Sequence, residues 1–353
     1  MSEFWRISAE GRVHPPSGDA AWTAGFLAAK DQWTKACPMA LTSGSTGQPV
    51  EHRFSTEAVL ASAEATAQHF GLDHPDVETV AAWSALPAAG TGGRMMVWRA
   101  LALGWDLTVS RPAAAPAVPP VAVPHGRYHF AVATPLQAKH LMDSGQLHRF
   151  SILLLGGAPV SPVLEAALEQ AALQARCRIY HGFGMTETLT HVATRSLGTE
   201  AYTALPGVEI GTAASGALTL DIPRRGVQQL VTKDAVEILP EPSSGDVDGR
   251  QFRWLGRLDD VINSGGLKFH PATLERRWSS PLKATLGNRR WFVTGRPDHS
   301  LGARVTLVVE GPNNSTLEAA VLDALADEGN ARPRSVEFQQ HFTETASGKV
   351  RRN

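Results

Sequence analysis

The chain has 353 residues, 43% apolar and 19% charged, with 33 Lys and Arg against 34 Asp and Glu. That length supplies two domains, or one large and one small, and the net charge of −1 counts against broad binding to nucleic acid or an anionic membrane surface. No run reaches the about 18 apolar residues needed to span a bilayer, the start MSEFWRISAEGR has no apolar signal core, and Cys37 and Cys177 fit a reducing compartment, so a cytoplasmic protein is expected.

In chain order, residues 1–36 carry Trp5, Trp22, Trp33 and a Pro-Pro-Ser-Gly-Asp turn, and predict a helical lead-in. The Gly/Ser/Thr-rich stretch 42–47 is the first strong loop signal. Residues 55–70 are Ala-rich with helical spacing. The proline-rich RPAAAPAVPPVAVP at 111–124 predicts an irregular or extended connector, because proline removes donors and blocks helix. Strands and helices then alternate: FAVATP before QAKHLMDSG, and SILLLGG before PVLEAALEQAALQAR. Such alternation predicts an α/β domain with a largely parallel sheet. A Gly-rich, β-leaning region follows from about 205 to 255. The texture changes around Gly256–Asp260, so a first domain is expected over 1–256 and a small α+β domain over 257–353. That tail predicts strands at RWFVTGR, ARVTLVVEG and SVEFQQHF, and one helix at TLEAAVLDALADEG.

Four segments carry chemistry. Thr42-Ser43-Gly44-Ser45-Thr46-Gly47-Gln48-Pro49 combines residues that let the backbone bend tightly with hydroxyl donors, as a polyphosphate cradle needs. No Gly-Lys-Ser/Thr follows, so it is not the common nucleotidase loop; a plain Ser/Gly surface loop is the alternative. His181-Gly182-Phe183-Gly184-Met185-Thr186-Glu187-Thr188 reads as a strand ending in a glycine turn. There Glu187 is the candidate Mg²⁺ ligand, since Mg²⁺ favours carboxylate plus phosphate oxygens. Residues 256–268, from Gly256 to Lys268, suit a hinge followed by a hairpin turn. Ser347-Gly348-Lys349 lies close to the end.

In this order the four segments resemble the signature of the adenylate-forming ligases. The stretches GGRMMVWRALALGWDL, LLLGGAPVSP, GMTETLTHVA and FRWLGRLDDVINSGG are most similar to the short o-succinylbenzoate–CoA ligases of menaquinone biosynthesis. The resemblance implies a large α/β domain, shortened at its N-terminus, with a small mobile α+β domain after it. It implies ATP, Mg²⁺ and coenzyme A, a carboxylic acid as substrate, and a homodimer as one possible state.

By the same resemblance Thr42, Ser43, Gly44, Ser45, Thr46 and Gly47 cradle the triphosphate. Gly157, Ala158 and Pro159, with Phe183, Gly184 and Met185, wall the adenine. Thr186 and Glu187 contact phosphate and Mg²⁺, and Asp234 and Arg257 grip the ribose. Lys349 is the mobile-domain lysine that stabilises charge at the reacting carboxylate. Arg94, with Arg99 as second choice, answers the acid's non-reacting carboxylate, and His191 lines the acid site. Asp259 matches the hinge, with Gly265, Gly266 and Lys268 on the face presented to CoA.

The chain departs from the pattern in two places. Val50 and Glu51 follow Pro49 where a lysine is usual, with Arg53 a substitute cation, and Gly90 stands near a customary histidine. Another aryl- or acyl-CoA ligase, or a non-catalytic nucleotide- or acyl-binding relative, are the competing readings.

Overall fold

The computed structural model describes residues 4–14, 22–42, 50–121, 126–240, 249–343, 350 and 352. In chain order the first elements are β1 (Trp5–Ile7), β2 (Val13–His14), α1 (Thr23–Thr34), β3 (Met39–Thr42), β4 (Val50–Arg53) and α2 (Thr56–Phe70). The α/β run follows: β5 (Ala81–Ser84), α3 (Thr91–Leu103), β6 (Asp106–Val109), β7 (Tyr128–Ala133), α4 (Pro135–Asp143), β8 (Phe150–Leu155), α5 (Pro162–Ala175) and β9 (Arg178–Met185). Next are β10 (Thr190–Ser196), β11 (Ala201–Ala204), β12 (Glu209–Thr212), β13 (Ala217–Ile222), β14 (Val227–Ile238) and β15 (Gln251–Arg257). The tail holds β16 (Ile262–Ser264), β17 (Leu267–Phe269), α6 (Pro271–Leu286), β18 (Trp291–Asp298), β19 (Gly302–Glu310), α7 (Ser315–Ala324) and β20 (Ser335–Gln339).

The chain separates into two compact units: residues 1–211, 219–230 and 238–252 form one, and residues 212–218, 231–237 and 253–353 the other. At the centre of the first, β6, β5, β7, β8 and β9 run parallel. A buried strand alternates its side chains between two faces, and β7 and β8 show it. Phe130, Val132, Ile152 and Leu154 enter one apolar cluster, while Ala131, Ala133, Leu153 and Leu155 enter another. The helices begin where the sequence caps them. Thr134 and Gln137 form a capping box with Pro135 at the first turn, and Ser161 precedes Pro162 in the same way. Beyond the parallel strands β10 turns back antiparallel to β9, and β11 continues antiparallel to β10.

The helical lead-in expected over residues 1–36 needs correction. Among the described residues there, only α1 is an α-helix. Trp5 sits in β1, paired with β6, because its ring stacks on Phe26 at 4.5 Å and fills the core under the sheet.

In the second unit, β18 and β19 form a long antiparallel pair, with β20 parallel to β19 and β16 antiparallel to it. Among its described residues the tail holds two α-helices rather than one. Residues 271–286 form α6, although Pro281 lies inside it. Leu274, Trp278, Leu282 and Leu286 recur at helical spacing and are all buried, which outweighs a proline about one hydrogen bond worse than its neighbours.

Candidate active site

Three segments of the first unit converge at the C-terminal end of β9. The strand is followed by a single 3-10 turn, Thr186–Thr188, before the chain reverses into β10. Close approach demands glycine at 184: a Cβ there would be driven into the Thr190 carbonyl and lie 2.6 Å from the His191 Cα. The reversal puts Leu189 at φ 54° and the β-branched Thr190 at φ 76°, a costly conformation for either side chain. Thr188 holds it closed, its buried hydroxyl bonding the Met185 and Thr190 carbonyls at 3.1 and 2.9 Å. Thr186 shares a 2.9 Å hydrogen bond with Thr91 at the start of α3.

Glu187 is thereby held exposed at the tip of a fixed turn, and it pairs with no described residue. No group of three or more His, Cys, Asp or Glu among the described residues could hold a metal ion. A lone outward carboxylate nonetheless fits Mg²⁺, which binds through one or two carboxylates together with waters and substrate phosphates.

The strands flanking the expected phosphate loop come together, since β3 and β4 pair antiparallel from Met39↔Arg53 to Thr42↔Val50. The β3 strand packs against α3 and the Thr186–Thr188 turn. Ser43, Gly44, Ser45, Thr46 and Gly47, and Lys349 as well, lie outside the described residues, as do the side chain of Thr42 and residues 241–248. Arg53 is paired with Glu51 at 2.7 Å, both on the surface.

The proposed adenine wall has a scaffold that the sequence did not suggest. Gly157, at φ 82°, opens the turn after β8, and the next residue, Ala158, offers its carbonyl to His181 Nε2 at 3.2 Å. On the other side His181 Nδ1 meets the Tyr202 hydroxyl at 2.7 Å. Because a carbonyl only accepts, Nε2 must carry the proton and Nδ1 must accept from Tyr202. Burial pushes His181 below the ordinary imidazole value, which favours this neutral tautomer. Arg195 lies across the Tyr202 ring, 5.7 Å from its centroid, and makes a two-pronged ion pair with Glu165 at 2.5 and 2.7 Å. Burial opposes charge on Glu165, but the bonds from Arg195 hold its carboxyl below the usual range. Phe183 completes the group, edge-on to Tyr202 and Phe252 at 5.7 and 5.3 Å. Pro159 is exposed beside Ala158, and Met185 lies partly buried at the end of β9.

The arginines of α3 differ in what surrounds them. Arg94 is 6% exposed and its donors are committed: Nε to the Ala88 carbonyl at 3.2 Å, Nη1 to the Met39 carbonyl and Gln32, and Nη2 to the Ala89 carbonyl at 3.4 Å. Arg99 is 2% exposed and reaches Thr190 Oγ1 at 3.2 Å and the Met96 sulfur, leaving its Nε buried without a partner. Beside it, His191 Nε2 meets Thr66 Oγ1 at 3.3 Å.

Within the second unit, Asp234 and Arg257 are brought together although 23 positions separate them, with 3.6 Å between Oδ2 and Nη1. Trp254, which sequence reading missed, donates Nε1 to Asp234 Oδ1 at 3.0 Å. Asp259 pairs with Lys233 at 3.0 Å and approaches Arg257 at 3.7 Å. Gly265 and Gly266 form a two-residue hairpin turn between β16 and β17, both with positive φ (57° and 80°), as a type I′ turn requires. Lys268 is exposed on β17.

A family model described as AMP-binding enzyme matches residues 9–218. The 2-succinylbenzoate–CoA ligase of Enterococcus faecalis is 27% identical over 345 residues, covering 88% of this chain and 67% of that protein. The protein of the same name from Escherichia coli is 28% identical over 314 residues, covering 86% of this chain and 65% of that one. This chain thus spans about two thirds of the length of each of these relatives. The crystal structure of an acyl-CoA synthetase (AMP-forming)/AMP-acid ligase II-like protein from Dyadobacter fermentans aligns with a TM-score of 0.61 at 27% identity, covering 99% of this chain and 97% of that one. With the turn of Thr186 and Glu187, the glycine approach at 184 and a family match across well over half its length, this chain belongs to the AMP-binding enzyme family.

Proposed function

We propose that the chain is an ATP-dependent, AMP-forming acid–CoA ligase whose acid is o-succinylbenzoate, acting in the cytoplasm. A carboxylate oxygen attacks the α-phosphorus of ATP, forming an acyl-adenylate and releasing pyrophosphate. The CoA thiolate then attacks the acyl carbon and AMP leaves with the bonding pair. A free carboxylate is a poor acyl donor, so adenylation supplies the missing leaving group. The observation that carries this reading is the fixed turn that presents Thr186, and a Glu187 with no partner among the described residues, beside the strands flanking residues 43–49. Mg²⁺, when bound, would neutralise phosphate charge there, and Glu187 is the residue that would hold it.

Positioning and electrostatics are the main catalytic devices in such a reaction. Thr42, Ser43, Gly44, Ser45, Thr46 and Gly47 take the triphosphate, Gly157, Ala158, Pro159, Phe183, Gly184 and Met185 the adenine, and Asp234 with Arg257 the ribose. Lys349 stabilises the adenylation transition state. The small domain, from 257 onward, then turns about Asp259 to present Gly265, Gly266 and Lys268 for thioester formation. The spectator carboxylate of the acid is assigned to Arg99 rather than Arg94, because Arg94 already gives its donors to three carbonyls and Gln32. His191 stands beside Arg99, its Nδ1 3.4 Å from the same Thr190 hydroxyl.

Acid-dependent exchange of labelled pyrophosphate into ATP tests the ligase reading, followed by a panel of acids with ATP and CoA scored for AMP release. Exchange with no acid in the panel would refute it.

A further inference from the structure

The reversal that carries Glu187 into β10 is strained, and buried side chains hold it in place. Leu189 and Thr190 are consecutive residues in the left-handed region, at φ 54° and 76°. Neither is glycine or asparagine, so the conformation persists only where surrounding bonds impose it. Leu189 is 1% exposed and shares one apolar cluster with Val59 and Ala63 of α2 and Met95 and Trp98 of α3. The fully buried Ser62 of α2 donates its hydroxyl to the Leu189 carbonyl at 3.2 Å.

Arg225 spans the strained pair. It lies in the 3-10 turn Pro223–Arg225 between β13 and β14 and is buried. Its Nη1 donates to the carbonyls of Thr188 at 3.1 Å and His191 at 3.3 Å, one on either side of Leu189 and Thr190. The neighbouring Arg224 pairs with Glu64 of α2 at 2.8 Å. The helix, the 3-10 turn and the reversal are thus joined pairwise, by Arg224–Glu64, Ser62–Leu189 and the two bonds of Arg225.

Burial takes Arg225 down to about 10, which leaves it charged at neutral pH and its bonds charge-assisted. Among the described residues it pairs with no carboxylate, and both of its hydrogen bonds go to this one reversal. A buried guanidinium without a counter-ion is costly to keep, so the backbone it grips is where its use lies. Thr186, by contrast, has an anchor of its own in Thr91.

We infer that Arg225 is a positioning residue for the metal site: by gripping the carbonyls on either side of Leu189 and Thr190 it fixes the reversal, and with it the aim of Glu187. The inference rests on the ligase reading for what Glu187 binds. Thr188 follows Glu187 directly, so a backbone free to relax at 188–191 lets the carboxylate wander from the direction in which it meets Mg²⁺ and phosphate oxygens together. Groups that orient a metal ligand from behind typically govern metal affinity by about 10–100-fold.

The test reads metal binding without turnover. Mn²⁺ is titrated onto protein saturated with a non-hydrolysable ATP analogue, free Mn²⁺ being counted by its electron paramagnetic resonance signal, and AMP binding is measured alongside by calorimetry. Glu187→Gln should remove the tight Mn²⁺ site. Arg225→Gln should raise the Mn²⁺ Kd about tenfold or more while AMP affinity stays within about twofold of wild type. Arg225→Lys should recover part of the loss, because an ammonium still donates to both carbonyls. Ser62→Ala, a smaller change on the other side of the reversal, should raise the Mn²⁺ Kd about threefold. If Arg225→Gln does not fold, Arg225→Lys and Ser62→Ala carry the comparison, and wild-type Mn²⁺ affinity in both overturns the inference. It is overturned equally if Arg225→Gln binds Mn²⁺ as wild type does, or if it loses Mn²⁺ and AMP affinity in parallel, the mark of general loosening. A wild type with no Mn²⁺ site dependent on Glu187 overturns it too. The titration needs neither acid nor turnover, so an Arg225-dependent Mn²⁺ site in a protein without exchange activity sustains the inference while the ligase reading falls.

Discussion

Tyr202→Phe isolates one hydroxyl in the scaffold behind the adenine wall. The ring survives, with its stacking on Phe252 at 5.4 Å, its edge contact with Phe183 and its place under Arg195. The losses include the 2.7 Å bond to His181 Nδ1 and the long 3.4 Å bond from Arg195 Nε. Arg195 keeps Glu165 and the Thr199 carbonyl, so it loses little. His181 is left with a largely buried acceptor and no donor, a defect worth about 1–3 kcal/mol. Urea unfolding should therefore show a loss of about 2 kcal/mol at unchanged m-value. With its lock gone, His181 can take the other tautomer and release Ala158, so the ATP KM should rise about fivefold, the equivalent of about 1 kcal/mol. The acid and CoA KM values should move far less. A stability change below about 0.5 kcal/mol with an unaltered ATP KM would show that the hydroxyl does not govern His181. A parallel rise in all three KM values would mean general loosening instead.

Acidification should destabilise the fold from near neutrality. His181 and His191 are held below 6.5 by burial, and the unfolded chain takes up their protons first. Their contribution is complete above about pH 7 and is lost as pH falls through 6.5 toward the folded values, at up to about 1.4 kcal/mol per pH unit per proton. Urea midpoints at a series of pH values should fall accordingly, and a flat profile would refute the assignment. Arg94→Ala should cost about 3 kcal/mol of stability, since it strands buried carbonyls at Met39 and Ala88; a stable variant with a raised acid KM alone would return Arg94 to the acid site. Lys349→Ala should slow adenylation by about 10²–10³-fold while sparing thioester formation from supplied acyl-adenylate, and equal loss in both half-reactions would refute its assigned role.

Sequence alone determined whatever depends on neighbours along the chain. The α2 helix matches its Ala-rich reading because Ser55 caps it and Gly71 ends it in the left-handed conformation. The β7–α4–β8–α5 alternation was legible because apolar runs and capping residues alternate in one dimension. The Gly184 turn and the Gly265–Gly266 hairpin were legible for the same local reason. The α6 helix was not, since Pro281 argues against helix until Trp278 and Leu282 find a sheet to pack on.

The site divides in the same way. Thr186 and Glu187 could be named from a motif, but the Thr91 bond that orients them comes from a helix 95 positions away. Arg94 and Arg99 are indistinguishable by composition, and five residues of helix merely set them about 140° apart. Only the packed structure decided that one gives its donors to main-chain carbonyls and the other reaches Thr190 and the Met96 sulfur. Which partners a buried guanidinium finds is a property of three-dimensional neighbours, and Arg99 and Thr190, 91 positions apart, become neighbours only when the chain folds.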